Sequence, residues 1–360
     1  FIMIYNFSAG PACLPDSVLK SASEAAVNYR NNGISLLEMS HRSIHVVELF
    51  NETTQNLRSL LKVPNNYKII WLQGGASSQF SMVPLNLLPN NGHADYIETG
   101  SWSSKAIKEC NKIGRANVIA SSKESNFTFI PKNYVYNEGS KYLHITSNNT
   151  IYGTQFKEYP EGLDSDSFLV ADMSSDILSK PIDINKFGLI YAGAQKNMGP
   201  AGVTLVIIRS DLLQQKYRVL PTMSDYSVHV DKKSMFNTPP VFSVYVVNET
   251  LKWLMNLGGV EAISDINIKK AESLFNAIDN SSIFESPVNY EDRSLMNVPF
   301  TFTNNDKDDK EFLEFCDKRG LKTLKGHRSV GGFRASIYNA MPQAGVTALI
   351  DAMKEFEKTY

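Results

Sequence analysis

Cysteine is scarce in this chain, which has three among 360 residues: Cys13, Cys110 and Cys316. They lie far apart, are odd in number and form no CxxC pair. A disulfide framework and a zinc site both need closely organised thiols, so neither is expected here. We therefore expect the thiols to be reduced and the functional site to contain no metal.

The chain also lacks an excess of charge of one sign and lacks long apolar runs. It has 36 Lys and Arg against 37 Asp and Glu, which gives a formal net charge of −1. Such a balance provides no basic field to hold nucleic acid or an anionic membrane surface. Apolar stretches such as VTLVII before Arg209 are far too short to span a bilayer. We expect neither nucleic acid nor membrane as a partner, and a cytoplasmic location.

What the sequence does contain is an alternation of short β-rich runs with helical patterns. The predicted strands are YKIIWLQ, ADYIE, YLHIT, SFLVAD, FGLIYA and VTLVIIR. This order is typical of an α/β domain with a mainly parallel sheet. After the helical pattern SVYVVNETLKWLMNLGG the character changes to a smaller α+β pattern. We predict a large domain over residues 14–257 and a small C-terminal domain over 258–360, against which residues 1–13 pack.

Residues that suit ligand chemistry follow several of these strands, where ligands of open α/β sheets bind. Asp172 ends the apolar run SFLVAD, and burying its carboxylate is costly without a cationic partner. Lys196 follows FGLIYA among small residues, in AGAQKNMGPAGVT. Trp102 follows ADYIETG and offers a flat ring for stacking, and Thr150 follows YLHIT and offers a hydroxyl.

A further strand end, YKIIWLQ, leads into GGASSQ, where a glycine turn opens a predicted helix. Free amides and hydroxyls at a helix N-terminus suit a phosphate. Each of these features alone has a simpler explanation: a surface lysine, a packing tryptophan or a plain turn. Taken together and in this order, they are the parts of a pyridoxal phosphate site.

Motifs along the whole chain resemble those of the phosphoserine aminotransferases, class V members of the fold-type I pyridoxal phosphate enzymes. The motifs are NFSAGP, EMSHRS, GGASSQF, AQKNMGPAG, NTPPVFSVY and KGHRSVGGFRASIYNA. The resemblance implies a large domain with a seven-stranded, mainly parallel sheet and a smaller α+β C-terminal domain. It also implies that pyridoxal 5'-phosphate is the cofactor and that the active unit is a homodimer with shared sites.

The resemblance assigns roles to single residues around this cofactor. Lys196 would carry it covalently, Asp172 would bind its pyridine nitrogen and Trp102 would stack on its ring. Thr150 and Gln195 would contact the ring-oxygen side of the cofactor. Ala76 and Ser77 would hold its phosphate, together with Asn237 and Thr238 from the other subunit. Some family members have an arginine in the phosphate loop where this chain has GGASSQ.

Two clusters of cationic residues offer binding groups for an acidic substrate: His327, Arg328 and Arg334 in HRSVGGFR, and His41 and Arg42 in SHRS. Any one arginine is most simply a surface ion pair. However, the planar guanidinium suits both carboxylate and phosphate, so separate arginines suit an acid that carries both. We assign Arg334 to the α-carboxylate, and the other four residues to the distal end of the substrate.

The implied reaction moves an amino group between glutamate and 3-phosphohydroxypyruvate, giving 2-oxoglutarate and phosphoserine in serine biosynthesis. The phosphorylated keto acid of pyridoxine biosynthesis is a second expected acceptor. A related enzyme such as a cysteine desulfurase is an alternative, but it needs a nucleophilic cysteine on a mobile loop, and Cys110 and Cys316 lie in helical patterns. A binding protein that has lost the cofactor is disfavoured by the presence of both Lys196 and Asp172.

Overall fold

The structure is a computed structural model of the chain and describes residues 2–304 and 308–359. Within these residues the helices are α1 (Asp16–Val27), α2 (Ile44–Leu60), α3 (Gly75–Leu87), α4 (Ser101–Cys110), α5 (Tyr226–Asp231), α6 (Val241–Asn256), α7 (Gly259–Asp279), α8 (Asp309–Lys318) and α9 (Gln343–Glu357). In this part of the chain no helix is both long enough and apolar enough to cross a membrane.

The strands in the same residues are β1 (Tyr5–Asn6), β2 (Tyr67–Leu72), β3 (His93–Glu98), β4 (Arg115–Ser121), β5 (Tyr142–Thr146), β6 (Phe168–Asp172), β7 (Phe187–Gly193), β8 (Thr204–Arg209), β9 (Phe284–Glu285), β10 (Asn297–Phe302), β11 (Leu321–Lys322) and β12 (Phe333–Ser336). The main sheet has seven strands in the order β2-β8-β7-β6-β5-β3-β4. Adjacent strands of this sheet are parallel except for β8, which is antiparallel to both β7 and β2. The predicted fold class, with a mainly parallel sheet, is confirmed.

Helices cover both faces of this sheet, which explains its sequence pattern. The central strands β5, β6 and β7 are buried along their whole length, as expected for parallel strands packed on two sides. One core lies between the sheet and α1, α2 and α6, and the other between the sheet and α3, α4 and α5. Because strand side chains alternate, Val170 and Asp172 point to the face covered by α3 and α4. The acid therefore shares a face with the helices that begin at GGASSQ and at Trp102.

Strand β4 is absent from the sequence prediction although it forms an edge of the sheet. Its residues are half-buried or exposed, and it contains Arg115, Asn117 and Ser121. An edge strand of this kind lacks the buried apolar alternation from which a strand is recognised in a sequence. The six strands that were predicted from the sequence all occur in the sheet.

A third core is formed by the C-terminal residues together with the start of the chain. Strand β1 pairs in parallel with β11, Tyr5 opposite Leu321, and Phe7 is fully buried in this core. Helix α7 contributes its first turns to the core of the large sheet and its last turns to the C-terminal core. The domain division at 257/258 stays a prediction, and positions 1, 305–307 and 360 within it lie outside the described residues.

Candidate active site

The site forms at the carboxyl ends of two neighbouring parallel strands. Asp172 is the last residue of β6 and stands opposite Tyr191 of β7. Strand β7 ends at Gly193, and the chain turns there so that Lys196 lies just beyond the same end of the sheet. The sequence pattern predicted this arrangement of an acid and a lysine at adjacent strand ends.

Asp172 is a buried carboxylate that is held from one side. Its Oδ1 accepts hydrogen bonds from the backbone N–H of Ser174 (3.0 Å) and from the Ser174 hydroxyl (2.6 Å). Burial raises the pKa of Asp172, while the bonds from Ser174 and the charge of Lys196 act in the opposite direction. Both bonds end on Oδ1, and within the described residues Asp172 Oδ2 has neither a hydrogen bond nor an ion pair, so this second oxygen is left for a ligand.

Lys196 has an amine whose environment favours the neutral form. Its Nζ donates a hydrogen bond to Thr150 Oγ1 (2.7 Å) and lies 5.7 Å from the centre of the Trp102 ring. Burial lowers the pKa of Lys196 to about 8; Arg334 also lowers it and Asp172 raises it. A large share of the amine is therefore unprotonated near pH 8, the form that acts as a nucleophile or a base.

Trp102 lies in the first turn of α4, on the same face of the sheet as Asp172. Its ring packs against the core below it, and its Nε1 is buried without a hydrogen-bond partner among the described residues. Thr150 is buried, and Gln195 lies over Gly193, since a Cβ on that glycine would be 2.6 Å from Gln195 Oε1. Trp102, Thr150 and Gln195 are thus brought together around Lys196.

The loop before α3 has the geometry of an anion site. Gly74 has a φ of 91°, and a Cβ there would lie 2.0 Å from Ser78 Oγ, so only glycine fits the turn. Ala76 and Ser77 are in the first turn of α3, where backbone N–H groups have no partner within the helix. Asn237 donates a hydrogen bond to Gln73 of the same chain (3.0 Å), next to this loop, and Thr238 follows it on the surface.

Arg334 approaches the site from β12 in the C-terminal part of the chain. It is half-buried, its Nη1 lies 3.4 Å from the Thr150 carbonyl oxygen, and its Nε has no partner in the described residues. His327 and the exposed Arg328 lie in the turn before β12, where His327 Nδ1 is 2.7 Å from Ser329 Oγ. Burial lowers the pKa of His327, as do the charges of Arg334, Arg328 and Lys105. The charges of Arg334, Arg328 and Lys105 therefore lie near His327 and favour its neutral imidazole.

His41 and Arg42 are not brought into this site by their own chain. They lie in the turn before α2, His41 half-buried and Arg42 exposed. Across residues 2–304 and 308–359, neither side chain forms a hydrogen bond or an ion pair within the chain. Their assignment to the distal end of a substrate, and that of Asn237 and Thr238 to a second subunit, stay predictions.

Three contributors to the site were missed in the sequence. Ser174 orients Asp172, and the signal for it was a hydroxyl two residues after a strand-end acid. Gly10 lies against Lys196, because a Cβ there would be 3.3 Å from Lys196 Cγ. Tyr338 holds this N-terminal turn by donating a hydrogen bond to the Ala9 carbonyl oxygen (2.7 Å), a contact that no local pattern reveals.

The residues present fit pyridoxal phosphate. The free oxygen of Asp172 suits a protonated ring nitrogen, the Trp102 ring suits a flat aromatic group, and Lys196 supplies the amine for covalent attachment. The first turn of α3 has unpaired amides for the phosphate, without an arginine in that loop.

Comparison with known proteins agrees with this chemistry. The family model described as aminotransferase class-V matches residues 4–349. The phosphoserine aminotransferase of Desulfotalea psychrophila is 52% identical over 355 residues, covering 98% of this chain and 97% of that protein. The solved phosphoserine aminotransferase of Bacillus circulans subsp. alkalophilus is 46% identical, with a TM-score of 0.96 and 99% of each chain covered. The PLP-bound phosphoserine aminotransferase of Trichomonas vaginalis is 41% identical, with a TM-score of 0.92 and coverage of 98% and 100%.

Proposed function

The chain belongs to the class-V aminotransferases, and within them to the phosphoserine aminotransferases, and we propose that it transfers an amino group between glutamate and 3-phosphohydroxypyruvate. The products are 2-oxoglutarate and phosphoserine, and the cofactor is pyridoxal phosphate. The observation that carries the proposal is the placement of the Lys196 amine and the buried Asp172 carboxylate at adjacent strand ends.

Bound pyridoxal phosphate supplies a ring that accepts the electron pair released when the Cα–H bond of the amino acid breaks. Asp172 would hold the protonated ring nitrogen, because a carboxylate fixed by Ser174 stabilises a positive charge next to it. Lys196, as a neutral amine, would take the proton from Cα of the amino acid and deliver it to the cofactor carbon. Glutamate leaves as 2-oxoglutarate before the phosphorylated keto acid binds, so the reaction runs in two half-reactions.

Binding of the substrate divides between two sets of side chains. We assign the α-carboxylate, which every substrate shares, to Arg334, the half-buried arginine beside Thr150 and Lys196. The distal phosphate, or the side-chain carboxylate of glutamate, is assigned to His327 and Arg328, with His41 and Arg42 from the partner subunit. The cytoplasmic location and the pyridoxine-pathway substrate stay predictions from the sequence.

A cysteine desulfurase activity finds little support in the thiols. Cys110 and Cys316 are fully buried inside α4 and α8, and burial raises the pKa of both thiols. Cys13 is half-buried and its pKa is raised as well. Protonated, enclosed thiols are poor nucleophiles.

The function is tested by comparing amino donors. With 2-oxoglutarate as acceptor, phosphoserine should be turned over with a kcat/KM at least about tenfold above that of serine or alanine, since a charge-assisted contact contributes about 1.5–3 kcal/mol. Neutral side chains leave the distal cations without a partner. Initial rates of glutamate formation measure this preference, and equal values for serine and phosphoserine would refute the substrate assignment.

The shared sites of a homodimer are tested by subunit mixing. Lys196→Ala and Arg42→Ala subunits are each expected to be inactive alone. After exchange, mixed dimers contain one site with both residues intact, and about a quarter of the parent activity should return. A tagged subunit that co-purifies with its untagged partner proves exchange. Exchange without recovery of activity would show that Arg42 does not act across the interface.

A further inference from the structure

Lys105 is a cation beside the site that has no role in the arrangement described so far. It lies one turn after Trp102 on α4, so the two side chains share a face of the helix. Its Nζ is 4.3 Å from the centre of the Trp102 ring, the same ring that Lys196 Nζ approaches at 5.7 Å. The side chain is exposed, and in residues 2–304 and 308–359 its ammonium forms no ion pair or hydrogen bond.

The charge of Lys105 reaches the region that the distal cations face. Burial lowers the pKa of His327, and so do three cations, Arg334, Arg328 and Lys105. Arg328 and Arg334 come from the C-terminal part of the chain, whereas Lys105 comes from α4 of the large sheet. Lys105 lies against the Trp102 ring, which Lys196 Nζ also approaches, and Arg334 lies beside Thr150, whose hydroxyl accepts a hydrogen bond from Lys196 Nζ. The region near the Lys196 amine is thus bordered by positive charge from both parts, which raises the local concentration of multiply charged anions.

We propose that Lys105 is a specificity-determining residue, which supplies positive charge from the α4 side to the distal phosphate of the substrate. The proposal rests on the proposed function and extends it. A phosphate ester carries about −1.5 to −2 charges at pH 7, against −1 for the side-chain carboxylate of glutamate, so one added cation stabilises the phosphate more. The contact of an exposed ammonium with an indole ring is weak, and the flexible stem of the lysine allows it to leave the ring for an anion.

The test compares Lys105→Gln with Lys105→Arg and with Lys108→Gln, a matched control. Lys108 is also exposed on the same helix, one turn further from Trp102. In the reconstituted holoenzyme, Lys105→Gln should lower kcat/KM for phosphoserine by about three- to tenfold, between the effects of an exposed ion pair and of a charge-assisted hydrogen bond. The loss should appear mainly in KM, and kcat/KM for glutamate should change by less than about twofold. Lys105→Arg should keep the parent preference, and Lys108→Gln should match the parent.

A binding measurement without turnover gives a second readout. The dissociation constant of inorganic phosphate, measured by calorimetry on the holoenzyme, should rise in Lys105→Gln by a similar factor and stay unchanged in Lys108→Gln. If Lys105→Gln leaves the ratio of kcat/KM for phosphoserine to kcat/KM for glutamate unchanged, the role of Lys105 is overturned while the proposed function stands. A parent enzyme that does not use phosphoserine would instead refute the proposed function, and the inference with it.

Discussion

Replacing Lys196 with alanine should lower the rate of amino-group transfer by about 10²–10⁴-fold or more, the contribution of a positioned acid–base group. Within the described residues, Lys196 is the amine that lies beside both Thr150 and the Trp102 ring. Water can enter the space left by the side chain but is a far weaker base. The measurement is 2-oxoglutarate formation from glutamate by the variant saturated with pyridoxal phosphate.

The matched control for this variant is Lys62→Ala. Lys62 is an exposed lysine whose Nζ forms an ion pair with Glu261 Oε1 at 2.7 Å. An exposed pair of this kind contributes little, so its activity should stay within about twofold of the parent. Lys196→Ala also removes a half-buried amine, which relieves a desolvation cost, and its thermal unfolding should not occur earlier than that of the parent. A folded Lys196→Ala protein with parent-like turnover would contradict the assigned role.

The pKa of Lys196 gives the same experiment a pH dependence. Burial lowers this pKa to about 8, so the protonated amine dominates below that pH and the neutral amine above it. Because only the neutral amine attacks a carbonyl, covalent uptake of pyridoxal phosphate by the cofactor-free parent should accelerate as the pH rises through about 8 and then level off. The change in absorbance follows the uptake, and a rate that falls with rising pH would contradict the assigned pKa.

The centre of the sheet, and the acid and the lysine at the ends of its strands, could be predicted from the sequence. The runs SFLVAD and FGLIYA are apolar throughout because β6 and β7 are buried on both faces. An acid or a lysine at the end of such a run therefore stands out, and Asp172 and Lys196 do lie at adjacent strand ends. Local pattern and long-range structure agree here because parallel strands place their carboxyl ends on one edge.

Other parts of the structure depend on contacts between distant segments, which a local pattern does not encode. Strand β1 pairs with β11, and Tyr338 fixes the turn at Ala9 from the far end of the chain. Lys105 looks like any surface lysine of an amphipathic helix until the Trp102 ring is seen beneath it. Within the described residues the side chains of His41 and Arg42 form no hydrogen bond or ion pair, so the sequence motif alone supports their assignment to a site shared with a second subunit.

Arg334→Ala should lower kcat/KM for phosphoserine and for glutamate to a similar extent, about 10- to 100-fold for each, because both substrates carry the same α-carboxylate. Arg334 is half-buried, and its Nε has no partner within the described residues, so it is available for such an ion. Burial lowers the pKa of Arg334 but leaves the guanidinium charged at neutral pH. Steady-state rates with each amino donor measure the two losses.

Arg328→Ala should have a different pattern, with a loss of about 10- to 100-fold for phosphoserine and a smaller loss for glutamate. Arg328 is exposed in the turn before β12, and its charge acts on His327. A phosphate at the distal end has more charge and more acceptor oxygens than a carboxylate, so it loses more when one guanidinium is removed. The matched control is Arg115→Ala, an exposed arginine at the first residue of β4, away from the carboxyl ends of the strands.

The contrast between the two variants tests the division of the substrate more sharply than either loss alone. A general weakening of the positive field would lower kcat/KM for both substrates in both variants. Separate subsites instead predict equal losses in kcat/KM for the two substrates in Arg334→Ala and unequal losses in Arg328→Ala. Arginine to lysine replacements refine the contrast, since lysine keeps the charge but cannot make the paired hydrogen bonds of a guanidinium. If Arg328→Ala leaves the preference for phosphoserine intact, the distal phosphate does not bind there. The transaminase assignment would survive that result, because it depends on Lys196 and Asp172 rather than on the distal cations.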